Sequence, residues 1–250
     1  MSAALPLNEP LFWLLASVGV VLSGISKSGL AGGAGVIAVP LLSLVLPLPL
    51  ATALLLPLLI AMDAQTLRYY WRQISWAEAR LLLPAAALGV ALGTALLGSL
   101  SATHLQLMLG VLCVLFALWQ NLLPYLTRWR RAALLWGTLS GVSSTLLHAG
   151  GPPLNAYLLG RNLVKAHWLA TAAVVFALMN WLKVPAYLTL GSWSADVLLC
   201  ALALLPLAWL GVWLGKRLQG QINEQQFILL CRCLLLLSGL LLLGKAWLAA

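Results

Sequence analysis

Apolar positions in this chain fall into runs long enough to be measured against a bilayer. A hydrocarbon core of about 30 Å takes about 20 residues of α-helix to cross. Six stretches meet that length, at residues 50–71, 78–99, 103–123, 166–190, 194–216 and 224–248. Four further apolar pieces are shorter, at 11–26, 34–47, 132–147 and 152–162. Glycine and hydroxyl residues interrupt each short pair. The first interruption runs Gly24-Ile25-Ser26-Lys27-Ser28-Gly29-Leu30-Ala31-Gly32-Gly33-Ala34-Gly35. The second runs Gly141-Val142-Ser143-Ser144-Thr145-Leu146-Leu147-His148-Ala149-Gly150-Gly151-Pro152-Pro153. Flexible polar backbone is costly in lipid, where an unpaired N–H or C=O finds no water, so such breaks belong inside protein or along a cavity. The four short pieces therefore read as two pairs of half-helices, and their length favours re-entrance. Two breaks in corresponding places point to the substrate site of a transporter.

Charge in the connections adds an orientation. Arg68, Arg72 and Arg80 flank one loop, Arg128, Arg130 and Arg131 fill another, and Arg161 with Lys165 and Lys216 with Arg217 mark two more. The intervening loops near 47–50, 99–103 and 190–194 carry no Lys or Arg. By the positive-inside rule the basic loops are cytoplasmic, and Trp71, Trp76, Trp129 and Trp168 beside them fit an inner aromatic belt. Each half then holds a half-helix pair that returns to its own side, followed by three crossings. Three is odd, so the second half enters upside-down relative to the first, and both termini lie outside.

A shared string supports the duplication. Leu83-Pro84-x3-Leu88-Gly89-x3-Gly93-x4-Gly98 matches Leu205-Pro206-x3-Leu210-Gly211-x3-Gly215-x4-Gly220 without a gap. Small residues every four positions favour helix packing in any membrane, but that does not explain why break and string recur in the same order. The expected architecture is an all-α polytopic membrane bundle of two inverted repeats, residues 1–124 and 125–250, forming one membrane domain. Each repeat would contain a broken or re-entrant pair plus three transmembrane helices.

Composition acts mainly by exclusion. With 63% hydrophobic and 8% charged residues and a mean hydropathy of +1.02, this is no water-soluble domain. The net charge of +9 would suggest nucleic acid in a soluble protein, but these basic residues sit in short membrane loops and no nucleic-acid partner is expected. Cys113, Cys200, Cys231 and Cys233 all lie in apolar spans, so no disulfide framework is implied. Cys231 and Cys233, two apart on a helix, point in different directions and make poor zinc ligands. No metal or cofactor is expected. The N-terminus lacks the basic region of a signal peptide, and its first apolar segment has a counterpart in the second half, so it belongs to the fold.

At this level the chain resembles the sulfite exporter TauE/SafE family of bacterial membrane proteins over essentially its whole length. The resemblance rests on the G-x-S-x-x-G-x-G-G-x-G pattern (Gly24, Ser26, Gly29 shifted forward, Gly32, Gly33, Gly35, then Pro40), on the Gly150-Gly151-Pro152-Pro153 element, and on the LG-x3-G helices. It implies a secondary carrier, an exporter of small oxyanions such as sulfite or organosulfonates, in the bacterial inner membrane. Pro152 and Pro153 depart from the small residues of the first half.

Residue chemistry fits an anion site on its own terms. Half-helices starting near Gly33–Gly35 and near Gly151–Pro153 would turn free N–H groups and the positive ends of their dipoles towards the membrane interior. Gly32, Gly33, Gly35, Gly150 and Gly151 let an oxyanion approach the backbone, while Ser26, Ser28, Ser143, Ser144 and Thr145 add hydroxyl donors. Lys27 reads equally as a charge partner for the anion or as a residue reaching the cytoplasm. Asp63, deep in the helix 50–71, is a functional candidate by its position: a proton relay coupled to export, or a partner for Lys27 or Lys183. Asn180 falls at the corresponding place, given neighbouring Met62 and Met179. His148 titrates near neutral pH when unperturbed and adjoins the second break; Asn155 on the short helix is a further hydrogen-bonding candidate. Lys183 is read as snorkelling from the outer end of its helix.

An intramembrane hydrolase using Ser143 or Ser144 with His148 lacks a Gly-x-Ser-x-Gly elbow and an orienting acid, so no enzyme is expected. A passive anion channel, or a carrier of an unrelated small organic anion, remains the alternative. The expected partners are a small anionic substrate and the lipid bilayer. The faces of Gly89/Gly93 and Gly211/Gly215 are compatible with a homodimer or with packing the two halves together.

Overall fold

The computed structural model describes residues 5–29, 37–97, 100–119, 132–161, 163–217 and 224–248. Among them the structure is helical, with no strand: α1 (Pro10–Gly29), α2 (Ala38–Ser43), α3 (Leu48–Tyr70), α4 (Trp76–Leu97), α5 (Ala102–Trp119), α6 (Ala132–Leu147), α7 (Gly151–Leu159), α8 (Lys165–Thr189), α9 (Ala195–Arg217) and α10 (Glu224–Leu248). The six long runs read from the sequence become α3, α4, α5, α8, α9 and α10. Among the described residues five helices, α1, α3, α4, α8 and α9, are long and apolar enough to cross a membrane.

The short pieces differ from expectation in length. α1 runs for 20 residues to Gly29, long enough to span, so it is not a half-helix by length. α2 has 6 residues, α6 has 16 and α7 has 9. Both polar stretches are also more helical than the glycine pattern suggested. Gly24, Ser26, Lys27 and Ser28 lie within α1, and Gly141, Ser143, Ser144 and Thr145 within α6. The physical reason is that these glycines serve close helix contact. A Cβ on Gly24 would come within 2.8 Å of the Val212 backbone nitrogen, and one on Gly211 within 2.6 Å of the Val21 carbonyl oxygen. Likewise Gly89 faces Thr138 and Gly141, and Gly141 faces Ala86 and Gly89. The shared LG-x3-G string thus packs α4 on α6 and α9 on α1.

α3 and α8 pack on each other at the centre, with α9 also against α3 and α4 also against α8; α5 pairs with α10. One apolar core joins α1, α2, α3, α5 and α9. A second joins α4, α7 and α8. The outer faces are apolar too: Leu88, Leu92 and Leu96 on α4 and Leu199, Leu202 and Trp209 on α9 are exposed. An apolar outside around a core holding buried charges is the pattern of a protein solvated by lipid.

Candidate functional site

Polar side chains converge where α3 and α8 meet α1 and α6. The Lys27 ammonium on α1 donates to Asp63 Oδ1 on α3, and the two form an ion pair. Asp63 Oδ2 accepts from Asn180 Nδ2 on α8 at 2.6 Å. Lys27 also stands over the Phe176 ring, 5.2 Å from its centroid. One turn beyond Asn180, on the same face of α8, Lys183 is fully buried. Its ammonium donates to the Ser144 carbonyl oxygen, to Ser144 Oγ and to His148 Nδ1, each at 3.1 Å.

His148 closes this network. It follows the last residue of α6 with φ at 50°, a left-handed conformation uncommon outside glycine. Its own N–H still donates to the Ser144 carbonyl. The ring bridges to α3, with Nε2 3.0 Å from the Thr52 carbonyl oxygen. A carbonyl only accepts, so Nε2 carries a hydrogen, while Nδ1 lies 3.1 Å from both the Ser144 carbonyl oxygen and the Lys183 nitrogen. Tyr187 stacks on the imidazole at 6.3 Å, and Trp193, beside Tyr187, donates to the Ala53 carbonyl at 2.9 Å. A strained residue held by three polar ring contacts and an aromatic stack marks a built site rather than a loose turn.

Lys27, Ser144, His148, Gly150, Gly151 and Asn180, with Leu59 and Phe176, line a cavity of about 30 Å³. That is room for about two waters. A sulfur oxyanion needs the walls to part. At one end α7 begins at Gly151 with Pro152 and Pro153. Prolines have no N–H, so the first turn offers only the amides of Gly150 and Gly151.

The structure therefore brings together Lys27, Asp63, Asn180, Ser144, His148, Gly150 and Gly151 from the sequence-based candidates. It sends others elsewhere. Ser28 Oγ donates to the Gly24 and Val212 carbonyls, Ser143 Oγ to the Leu139 and Ala149 carbonyls, and Thr145 Oγ1 to the Gly141 carbonyl. These hydroxyls serve backbone, not a ligand. Asn155 Oδ1 accepts from the Trp168 indole at 3.0 Å and does not line the cavity. Ser26 is buried on α1. Gly32, Gly33 and Gly35 lie outside the described residues. The expectation that Lys183 snorkels is overturned, because its ammonium points into the protein and finds three acceptors there. Its spacing of three from Asn180 was the signal for a shared face. Thr52, Phe176 and Tyr187 were also missed; nothing in their local sequence sets them apart. Among the described residues no group of His, Cys, Asp or Glu could hold a metal ion.

Apolar helices long enough to cross a membrane, set around a buried polar centre, define a polytopic membrane protein. The family model described as Sulfite exporter TauE/SafE matches residues 15–242, and the chain belongs to that family. No curated protein and no solved structure matches it significantly.

Proposed function

We propose that this protein is a secondary carrier that exports small oxyanions, such as sulfite or organosulfonates, across the bacterial inner membrane, and that it is not an enzyme. The carrying observation is the buried cluster Lys27–Asp63–Asn180 and Lys183–Ser144–His148 around a cavity at the junction of α1, α3, α6 and α8. A buried ion pair adds little to stability compared with apolar packing. Two lysines and a carboxylate retained at membrane depth are therefore best explained by a charged cargo.

In this reading the chain is two inverted repeats, 1–124 and 125–250, rocking about the cluster in alternating access. The pairing of α1 with α9 and of α6 with α4 through the same glycine string supports it. So does a cavity too small for the substrate until the helices move. Asp63 is the coupling group: a proton there releases Lys27 to the anion. Basic loops face the cytoplasm and both termini lie outside.

The test is ligand-dependent thermal stabilisation of the purified protein with sulfite, sulfate, sulfonates, acetate and chloride, followed by flux into liposomes. A selective shift with a sulfur oxyanion and saturable, pH-responsive flux are expected. Flux that rises linearly with concentration would make the protein a channel. Stabilisation by none of the anions would remove the oxyanion reading. Asp63→Asn should keep binding and lose the pH response; an unchanged response sinks the proton relay.

A further inference from the structure

We propose that the groove between α3 and α9 is a binding site for an anionic phospholipid, with the lipid phosphate on Arg68 and Lys216 and an acyl chain along Ala61 and Ala64. The groove lies apart from the buried cluster, whatever cargo that cluster takes.

Its volume is about 600 Å³. Ala61, Ala64, Gln65, Arg68 and Tyr69, one stripe of α3, form one wall, and Trp209 on α9 forms the other. Ala64, Arg68 and Trp209 are exposed, so the groove opens on the surface that lipid covers. Arg68 stands in the last turn of α3 and Lys216 in the last turn of α9, which is headgroup level for a spanning helix. Ala61 lies two turns deeper, about 10 Å at 1.5 Å per residue, among the acyl chains. The two alanines leave a channel that larger side chains would fill.

Lys216 bends over the mouth of this channel. Its ammonium stands 3.8 Å from the centroid of the Tyr69 ring, and Gln65 Nε2 donates to the Tyr69 hydroxyl at 3.2 Å. Among the described residues neither Arg68 nor Lys216 has a carboxylate partner; the ion pairs there are Lys27–Asp63 and Arg161–Glu78. The positive-inside bias puts cations at this end of a helix, but it does not fold a lysine over a ring beside an apolar groove. Two cations without a counter-charge above an apolar channel complement a phosphate above its acyl chain.

A matching groove in the other half supplies the contrast. At the offset of 117 that relates Asp63 to Asn180, Gln65, Arg68 and Tyr69 become Leu182, Pro185 and Ala186. These three line a groove of about 610 Å³ between α8 and α4. Aligned by the LG-x3-G string, Trp209 and Lys216 become Ala87 and Thr94, which line the same groove. The groove recurs without its cations. Helix packing therefore accounts for both hollows, and for neither the charges nor the aromatic rings of one.

The test follows thermal unfolding of the purified, delipidated full-length protein in neutral detergent as dioleoylphosphatidylglycerol or dioleoylphosphatidylcholine is added. Phosphatidylglycerol should reach half its effect at a mole fraction at least about tenfold lower, since each basic side chain contributes roughly fivefold. Arg68→Gln with Lys216→Gln should abolish that preference, whereas Arg80→Gln, an exposed cation outside the groove, should keep it. Ala64→Trp fills the groove, keeps both cations and should weaken phosphatidylglycerol binding about tenfold. Equal effects of the two lipids, a preference that survives the double substitution, or unchanged binding to Ala64→Trp overturns the proposal. So does sodium phosphate reproducing the shift, which would mean a free-anion site. A lipid-independent dimer that Ala64→Trp splits overturns it too, and gives the groove to a second copy of the chain. If the double variant does not fold, the lipid comparison and Ala64→Trp decide.

Discussion

Residues at an offset of 117 in the chain make the same helix-to-helix link in the two halves by different chemistry. In the first half Lys27 on α1 reaches Asp63 on α3. At the same offset the second half has Ser144 on α6 and Asn180 on α8, both neutral, and its lysine has moved to position 183, where the first half has Thr66. There the bond runs the other way, from Lys183 on α8 to Ser144 on α6. One half closes its charge on itself; the other holds a cation among neutral acceptors. The lesson is that similar helix scaffolds can hold a buried lysine in different ways, one in an ion pair and one among neutral acceptors.

That contrast can be broken experimentally. Lys27→Met leaves the Asp63 carboxylate buried with only Asn180 beside it, and should cost about 3–5 kcal/mol of stability. The double variant Lys27→Met with Asp63→Asn should recover most of that loss. Equal stability of single and double variants, by denaturant unfolding in detergent, would show that the pair carries no charge partnership.

The glycine contacts should instead behave alike in both halves. Gly89→Ala pushes a methyl into Thr138 and Gly141, and Gly211→Ala pushes one into Val21 and Gly24. Each should cost about 1–3 kcal/mol by overpacking. Gly244→Ala, with nothing within 4 Å of its new methyl, should be near neutral. A large difference between Gly89→Ala and Gly211→Ala in melting temperature would sink the likeness of the α4–α6 and α9–α1 contacts.

The smallest effect on stability is expected at Lys183. Lys183→Met removes a buried ammonium whose partners are neutral, so the loss should be about 1 kcal/mol or less. A loss as large as that of Lys27→Met would mean that Lys183 has a counter-charge after all.

Much of this fold was legible because membrane-crossing helices announce themselves by length. The ends of α3, α8 and α9 fall within a few residues of the apolar runs. What misled was glycine. At Gly24 and Gly141 it admits a neighbouring helix, yet in the chain the same residue also signals a break, and only the partner surface on α9 or α4 separates the two uses. The hydroxyls failed for a related reason. Ser28, Ser143 and Thr145 had helical carbonyls of the preceding turn within reach, and local bonds of that kind outcompete a ligand. Asp63 was found because an acid inside an apolar run has few innocent explanations. Lys183 was lost because a lysine near a helix end has an innocent one, and only the packing of α8 against α3 and α6 removes it.

The proton on Asp63 in the proposed cycle bears on energetics across the membrane as well as on binding. In the proposed cycle the site takes up one proton with one monoanion, so its net charge is the same loaded and empty. An inside-negative voltage then acts on the outward and return steps by equal and opposite amounts. Each elementary charge moved through 100 mV is worth about 2.3 kcal/mol. Those contributions would cancel over a turnover, leaving the anion and pH gradients to set the direction of net flux.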